Sequence, residues 1–170
     1  LGLSAGFLEP LESTAIHLVQ SGISRLLGLF PDKDFNPVEI EEYNRQMTSA
    51  YDQVRDFLIL HYRATERDDS GLWKYCRNMP VPDALQHKID LFAGKGRCFR
   101  YEDELFSVTS WIAVFLGQGV TPRGYDEVVN SMSEKQLADV LEKMKTSIRQ
   151  TADSMPTQQD YISKRCAASI

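Results

Sequence analysis

The sequence has few of the residues from which metal centres, disulfide frameworks and membrane spans are built. Its three cysteines form no Cys-x-x-Cys pair and show no Cys/His ligand spacing, and its three histidines are scattered along the chain. This pattern predicts no metal site and favours a reducing cytoplasm as the location. No apolar run approaches the roughly 20 residues of a membrane-spanning helix, so we expect no membrane segment.

Positive charge is also scarce. The chain has 19 Lys and Arg residues against 24 Asp and Glu residues, which gives a net charge of -5 at pH 7. Because nucleic-acid-binding proteins usually present a basic face, we expect no nucleic-acid partner. The length of 170 residues, with 42% hydrophobic and 25% charged residues, suits a compact soluble domain.

The marks of a dinucleotide-binding protein are absent from the sequence as well. No Gly-x-Gly-x-x-Gly follows a predicted strand, and Gly94-Lys95-Gly96 lacks the spacing of a phosphate loop. Residues 1–7 are typical of the end of a buried segment, with no initiator methionine and no signal peptide. We therefore expect the chain to be the C-terminal part of a longer protein.

What is present is a mainly helical pattern. Capping residues and apolar spacing predict helices over 14–30, 36–61, 71–77, 83–92 and 104–116, and a further one that begins with a capping box at 133–136. Residues 97–101 are the predicted strand-like or extended stretch. Residues 160–170 are expected to form a polar, frayed tail.

The most informative feature is a turn at residues 7–16. It places Glu9 and Glu12 around Pro10 and then opens a helix with Ser13 and Thr14, which are both good N-cap residues. A helix start carries partial positive charge and unpaired N–H groups, so it can hold an anion, and Glu12 would be a fixed acceptor beside it. From the residues alone, the turn is either an anion pocket next to an oriented carboxylate or a tightly capped structural turn.

A family resemblance favours the first interpretation. Residues 3–14, LSAGFLEPLEST, closely resemble the signature of flavin-dependent tryptophan halogenases. Residues 16–20 and a second block at 103–125 resemble the tryptophan halogenase-like branch found in many bacteria, and the similarity runs to about Asp126. The resemblance implies a mainly α, irregular helical C-terminal portion of an FAD-dependent halogenase, without the dinucleotide-binding α/β part. Residues 1–30 would then end the FAD-binding module, and residues 31–170 would form a helical substrate-side domain.

The resemblance also implies a chemistry. Such enzymes use reduced FAD, oxygen and chloride or bromide to halogenate an electron-rich aromatic substrate, such as tryptophan or indole. The catalytic glutamate of the family matches Glu12, while the catalytic lysine belongs to the earlier region. The halide-binding backbone N–H groups match Thr14 and Ala15, where the best-known members have glycine at the second position. Ser13 and Pro10 would support the turn.

The implied partners of such an enzyme are a separate flavin reductase and the N-terminal FAD-binding region of the same protein. A homodimer is one assembly that such an enzyme could form. Because the catalytic lysine and the flavin fold belong to the earlier region, the isolated chain is expected to be inactive.

On the substrate side the sequence departs from the family. Trp111 matches the tryptophan that stacks on the indole, but Phe106 stands where a glutamate is expected, and Tyr101 lies in a stretch that lacks the usual Tyr-Tyr pair. These departures predict an indole without a charged amino-acid group, or a larger indole or phenol, rather than free tryptophan. The alternatives are Trp111 as an ordinary core residue, a helical interaction module with a structural turn, and a related flavin monooxygenase that hydroxylates.

Overall fold

The chain folds almost entirely into helices. A computed structural model describes residues 2–101 and 104–166; Leu1, Glu102, Asp103 and residues 167–170 lie outside the described residues. The described ranges contain seven α-helices and no strand, so the predicted mainly α class is confirmed. The helices are α1 (Ala15–Gly28), α2 (Pro37–Arg63), α3 (Gly71–Asn78), α4 (Asp83–Lys95), α5 (Val108–Gly117), α6 (Glu134–Ser154) and α7 (Gln158–Arg165), with short 3₁₀ turns at Gly2–Ser4, Leu11–Ser13 and Glu127–Ser131.

The chain divides into two compact units. Unit 1 covers Leu1–Tyr125 and contains α1 to α5, and unit 2 covers Asp126–Ile170 and contains α6 and α7. The predicted boundary after residue 30 concerns how the chain divides in the whole protein, and it stays a prediction.

Helix α2 is the longest element, and local chemistry explains its start. The Asn36 side chain accepts a hydrogen bond from the Val38 N–H at 3.1 Å, and Pro37, which has no N–H to satisfy, occupies the first helical position. The helix runs for 27 residues, a length of about 40 Å. Its predicted beginning is confirmed.

Two boundaries in unit 1 differ from the prediction. Helix α5 begins at Val108 rather than at residue 104, because the Ser107 hydroxyl accepts the N–H of Ser110 at 3.2 Å and so sets the start. Asp83 is the first residue of α4 and not its cap, which is Pro82. Residues 97–101 have no regular structure, so the predicted strand-like stretch forms no strand.

In unit 2 the capping box is confirmed, whereas residues 160–165 of the predicted frayed tail are helical and residues 167–170 of it lie outside the described residues. The Ser133 hydroxyl accepts the Gln136 N–H, while the Gln136 side chain accepts the Ser133 N–H at 2.9 Å. Residues 158–165 form α7 because Thr157 caps it through the N–H of Asp160. Along α6 the apolar residues at helical spacing are Leu137, which is half-buried, and Val140, Leu141, Met144 and Ile148, which are exposed.

The core of unit 1 consists of two clusters that meet at the last turns of α2. The first cluster contains Phe57 and Leu60 of α2, Leu85 and Phe92 of α4, and Trp111 and Phe115 of α5. The second contains Leu18 of α1 with Val54 and Leu58 of α2. Phe106 packs against both clusters. Each fully buried side chain of this size contributes about 1.5–3 kcal/mol, so α2 is the element to which the rest of the unit is anchored.

Helix α1 meets α2 through a narrow contact. Leu18 and Gly22 are its buried residues, and a Cβ at Gly22 would lie only 3.3 Å from the Met47 Cε atom. Glycine therefore permits the close approach of the two helices. The apolar spacing correctly predicted a helix, but several of the residues that define it, Ile16, Ile23, Leu27 and Phe30, are exposed.

Candidate active site

The turn before α1 holds two consecutive residues in a left-handed conformation. Glu12 has φ 63° and ψ 0°, and Ser13 has φ 52°. The Ser13 N–H donates to the Pro10 carbonyl at 3.0 Å, which closes the turn. A left-handed torsion costs a residue with a side chain roughly 1–2 kcal/mol. Because strain of this kind concentrates at functional sites, the geometry itself marks the turn as a candidate site.

Thr14 enters α1 with helical torsions, so the predicted side-chain cap is wrong. Its φ and ψ are -77° and -13°, and neither its hydroxyl nor that of Ser13 caps the helix. The two left-handed residues turn the chain directly into the helix, which leaves no extended residue to act as a cap. Thr14 is buried, and its carbonyl accepts the N–H of Leu18 at 2.9 Å. The N–H groups of Thr14 and Ala15 thus lie at the helix start, where the first N–H groups have no intrahelical partner.

Glu12 faces His61, which lies near the end of α2. Glu12 Oε1 is 3.3 Å from His61 Nε2, and His61 Nδ1 is 2.8 Å from the Phe57 carbonyl oxygen. Because a carbonyl only accepts, Nδ1 must carry the proton, and the neutral ring then presents a lone pair at Nε2. The Glu12 carboxylate and the His61 ring therefore form a contact pair, in which Nε2 is the ring atom that faces the carboxylate.

The other carboxylate of the turn has a separate partner. The Tyr62 hydroxyl donates to Glu9 Oε2 at 2.6 Å, while Glu9 Oε1 is buried without a hydrogen-bond partner among the described residues. This hydrogen bond to Glu9 is the main cause that raises the pKa of Tyr62 above its usual 10.0, and desolvation of the phenol adds to it. Through this hydrogen bond Glu9 connects the turn with α2 at Tyr62, the residue that follows His61.

A chain of aromatic contacts leads from His61 into the core. The ring of Phe57 meets His61 edge-on at 4.9 Å, stacks on Phe106 at 3.8 Å and meets Trp111 at 4.8 Å. The structure thus brings Phe106 and Trp111 into the neighbourhood of the Glu12 pair. Trp111 is only 1% exposed, so its ring faces are covered by protein. Tyr101 is 42% exposed and is connected to Trp111 through Lys88, whose ammonium group lies over both rings.

A cleft of about 740 Å³ opens beside the pair. Leu11, His61, Tyr62 and Trp73 line it, together with residues 116–119 at the end of α5. Tyr62 and Trp73 stack with their ring centroids 6.0 Å apart, and the Arg67 guanidinium covers Trp73 at 4.4 Å. The cleft combines an aromatic wall with polar groups, which is the usual lining of a small-molecule site.

The part of the chain that the structure describes contains neither a candidate metal site nor a helix that could span a membrane. No group of three or more His, Cys, Asp or Glu side chains there could hold a metal ion. No helix within 2–101 and 104–166 has both the length and the apolarity that crossing a membrane requires.

Comparisons with known proteins place the chain in a family. The family model described as tryptophan halogenase matches residues 1–134. A flavin-dependent halogenase from Xanthomonas campestris superposes with a TM-score of 0.95 at 44% identity, over 99% of this chain and 34% of that one. A second flavin-dependent halogenase, from a Brevundimonas species, superposes with a TM-score of 0.91 at 41% identity, over 96% of this chain and 33% of that one.

The chain belongs to the tryptophan halogenase family. Among curated relatives, a tryptophan 6-halogenase from Streptomyces toxytricini is 34% identical over 95% of this chain and 31% of its own length. A tryptophan 7-halogenase from a Kutzneria strain is 38% identical over 54% of this chain and 17% of its own length. The chain therefore spans a third or less of the length of these relatives.

Sequence reasoning missed three partners of the predicted site. In the sequence, His61 is one of three scattered histidines, and Tyr62 and Lys88 belong to no motif. His61 and Tyr62 lie more than forty residues from the turn that they contact, and no local spacing connects them with it. The paired glutamates of the turn were the available signal, because two carboxylates in one tight turn each need a hydrogen-bond partner.

Proposed function

We propose that this chain is the catalytic-turn and substrate-side part of an FAD-dependent halogenase that acts on an electron-rich aromatic ring. The observation that carries the proposal is the strained turn, which holds Glu12 against His61 immediately before the start of α1. Membership of the tryptophan halogenase family supports it.

Glu12 is the proposed catalytic residue. Its carboxylate orients the electrophilic halogen and accepts the proton that the ring loses. Because His61 Nδ1 bonds to the Phe57 carbonyl, Nε2 can take the proton from the Glu12 carboxyl once it has been accepted. General-base catalysis of this kind contributes typically about 10²–10⁴-fold to a rate. His61 acts as the positioning partner of Glu12.

The proposed halide site is formed by the backbone N–H groups of Thr14 and Ala15. A halide needs donors and a positive potential, and the first turn of α1 offers both. The contact is through the backbone, so the Ala15 side chain does not remove it. Ser13 and Pro10 hold the turn through the hydrogen bond between the Ser13 N–H and the Pro10 carbonyl.

On the substrate side we propose Phe106, Tyr101 and Trp111. Phe106 is half-buried and Tyr101 is exposed, so both can offer surface to a ligand. Trp111 supports Phe57 and Phe106 from within the core. The cleft beside His61, which none of these three side chains lines, has room for an indole or for a larger indole- or phenol-bearing molecule.

The remaining components lie outside the chain. Reduced FAD, with oxygen and chloride or bromide, would supply the electrophilic halogen. The described residues include no glycine-rich dinucleotide loop, so we assign FAD binding to the N-terminal region of the same protein. A separate flavin reductase would deliver reduced FAD, and a homodimer is the simplest assembly to test.

The decisive experiment is Glu12→Gln in the full-length protein with reduced FAD, halide and a panel of indoles and phenols. Halogenation should fall by about 10²–10⁴-fold, since the amide accepts no proton, while FAD binding and melting temperature stay within error. Glu9→Gln is the matched control, because it removes the other carboxylate of the turn and leaves the acid opposite His61 in place. The Glu9→Gln variant should lose less than tenfold of the halogenation activity.

Two outcomes would reject the proposal. Unchanged turnover in Glu12→Gln would favour a helical interaction module with a purely structural turn. Products that gain oxygen and show no chlorine or bromine isotope pattern in the presence of halide would favour a hydroxylating flavin monooxygenase.

A further inference from the structure

Tyr62 of α2 contacts the strained turn and lines the cleft at the same time. Its hydroxyl donates to Glu9 Oε2 at 2.6 Å, and its ring forms part of the cleft wall beside His61. His61, the preceding residue of α2, lies with Nε2 3.3 Å from Glu12 Oε1. Two neighbouring residues at the end of one helix therefore contact the two carboxylates of the turn.

The Tyr62 hydroxyl is the hydrogen-bond partner that holds Glu9. A distance of 2.6 Å lies in the range of hydrogen bonds from a hydroxyl to a carboxylate, which are about twice as strong as neutral ones. The other oxygen, Glu9 Oε1, is buried and has no hydrogen-bond partner among the described residues. Without the phenol hydroxyl neither oxygen would be paired within those residues, and the carboxylate would move toward water.

A short and stiff segment connects Glu9 with Glu12. The ring of Pro10 fixes its φ, at -71°, and its carbonyl accepts the Ser13 N–H at 3.0 Å. Glu12 and Ser13 have left-handed torsions, and strained torsions of this kind persist only where the surrounding structure fixes them. A displacement of Glu9 would therefore also displace the carboxylate of Glu12.

The phenol ring is itself held from the side of the cleft. Trp73 of α3 stacks on it, with ring centroids 6.0 Å apart and the two planes 17° apart. The Arg67 guanidinium covers Trp73 at 4.4 Å and donates to both carboxylate oxygens of Asp69, at 3.1 and 2.8 Å. These contacts restrain the Tyr62 ring, so its hydroxyl stays directed at Glu9.

We propose that Tyr62 is a positioning residue for Glu12. Its hydroxyl holds Glu9, and Glu9 keeps the strained turn in the conformation that sets Glu12 opposite His61. The effect of this contact on catalysis rests on the proposed halogenase function, whereas its effect on the turn does not. The two effects are therefore measured separately, both in the full-length protein.

The first test follows the turn by hydrogen exchange and mass spectrometry, without substrate. In Tyr62→Phe, amide exchange in the peptide that covers residues 7–16 should become at least about tenfold faster, because a hydrogen bond to a charged group contributes that much. The peptide that covers residues 133–148 of unit 2 should exchange as in wild type. Tyr43→Phe is the matched control, since it removes a hydroxyl nearer the other end of α2 and leaves the contact with Glu9 in place.

A second variant breaks the same contact from the other side. Glu9→Ala keeps the Tyr62 ring, so it should accelerate exchange in residues 7–16 to the same extent as Tyr62→Phe. Exchange of that peptide at the wild-type rate in either folded variant overturns the proposal. An acceleration that is equally large in residues 83–95 of unit 1 does the same, because it would show a general loss of stability.

The second test compares kcat and KM for an indole or phenol substrate with reduced FAD and halide. Tyr62→Phe and Glu9→Ala should each lower kcat at least about tenfold and change KM less than about twofold, because the cleft keeps its aromatic ring and only Glu12 is displaced. The double variant should lose no more than either single variant, since both break one contact. Glu9→Gln, whose side-chain oxygen still accepts the Tyr62 hydroxyl, should lose less than tenfold.

The outcomes separate the positioning role from the proposed function. Multiplied losses in the double variant, or an unchanged kcat in Tyr62→Phe, would overturn the positioning of Glu12 by Tyr62. If the wild-type protein halogenates no aromatic compound, the proposed function fails, and the hydrogen-exchange result still decides whether Tyr62 holds the turn.

Discussion

Replacing Ser13 by glycine should stabilise the protein, although glycine usually destabilises. Ser13 has φ 52°, in a turn that also holds Glu12 at φ 63°. A left-handed torsion costs serine about 1–2 kcal/mol and glycine almost nothing. Glycine gives the unfolded chain extra freedom, which costs about 0.4–1 kcal/mol. The two ranges give a net gain of about 0–1.6 kcal/mol, and their midpoint of about 0.8 kcal/mol is a factor of about 4 in the folding equilibrium constant.

The assay is urea denaturation followed by far-ultraviolet circular dichroism, with the shift in midpoint multiplied by the common m-value. Ser24→Gly is the matched control, because Ser24 is exposed inside α1, where glycine should cost about 0.5 kcal/mol. The two variants should therefore shift in opposite directions. A loss of stability in Ser13→Gly equal to that in Ser24→Gly would refute the argument that the turn is strained. If the strain serves to hold Glu12 against His61, Ser13→Gly should also lower kcat.

Two further substitutions test the surroundings of the turn and the cleft. Since Glu9 raises the pKa of Tyr62, this contact stabilises the folded protein fully below pH 10 and is lost as the pH rises through the folded-state pKa. Tyr62→Phe should therefore be less stable than wild type at pH 7 and converge with it above pH 10 in urea denaturation, and a pH-independent difference would contradict this. Gly119→Ala should lose at least about 1 kcal/mol, because Gly119 has φ +79° and a Cβ there would lie 2.7 Å from Glu66 Oε1. Adding Glu66→Ala should recover the part due to the clash and leave the part due to the torsion, and full thermal stability of Gly119→Ala alone would contradict the account.

The features that the sequence predicts well are those set by neighbouring residues. Asn36 followed by Pro37 starts α2 and Ser133 starts α6, because each cap is a hydrogen bond over two or three residues. Gly96 ends α4 in a left-handed conformation, with φ 69°, for the same local reason. The position of Glu12 in a turn before a helix also follows from adjacent residues.

The features that the sequence does not predict depend on distant contacts or on strain. Left-handed torsions at Glu12 and Ser13 have no residue signature, since glycine or asparagine would be expected there. The pairing of Glu12 with His61 joins residues far apart in the chain. Helix α1 has apolar residues on several faces, so the spacing could not show that Leu18 and Gly22 make the buried contact.

Helix α2 has a consequence for protein engineering. Its last turns carry Phe57 and Leu60 of the first core cluster and Val54 and Leu58 of the second. They also carry His61, which faces Glu12, the proposed catalytic residue. A change of side-chain volume anywhere around these turns will rotate or shift the helix, and the imidazole will move with it. Libraries that repack the interior for heat tolerance should therefore be screened for the proposed halogenation and the ring position it modifies, as well as for melting temperature.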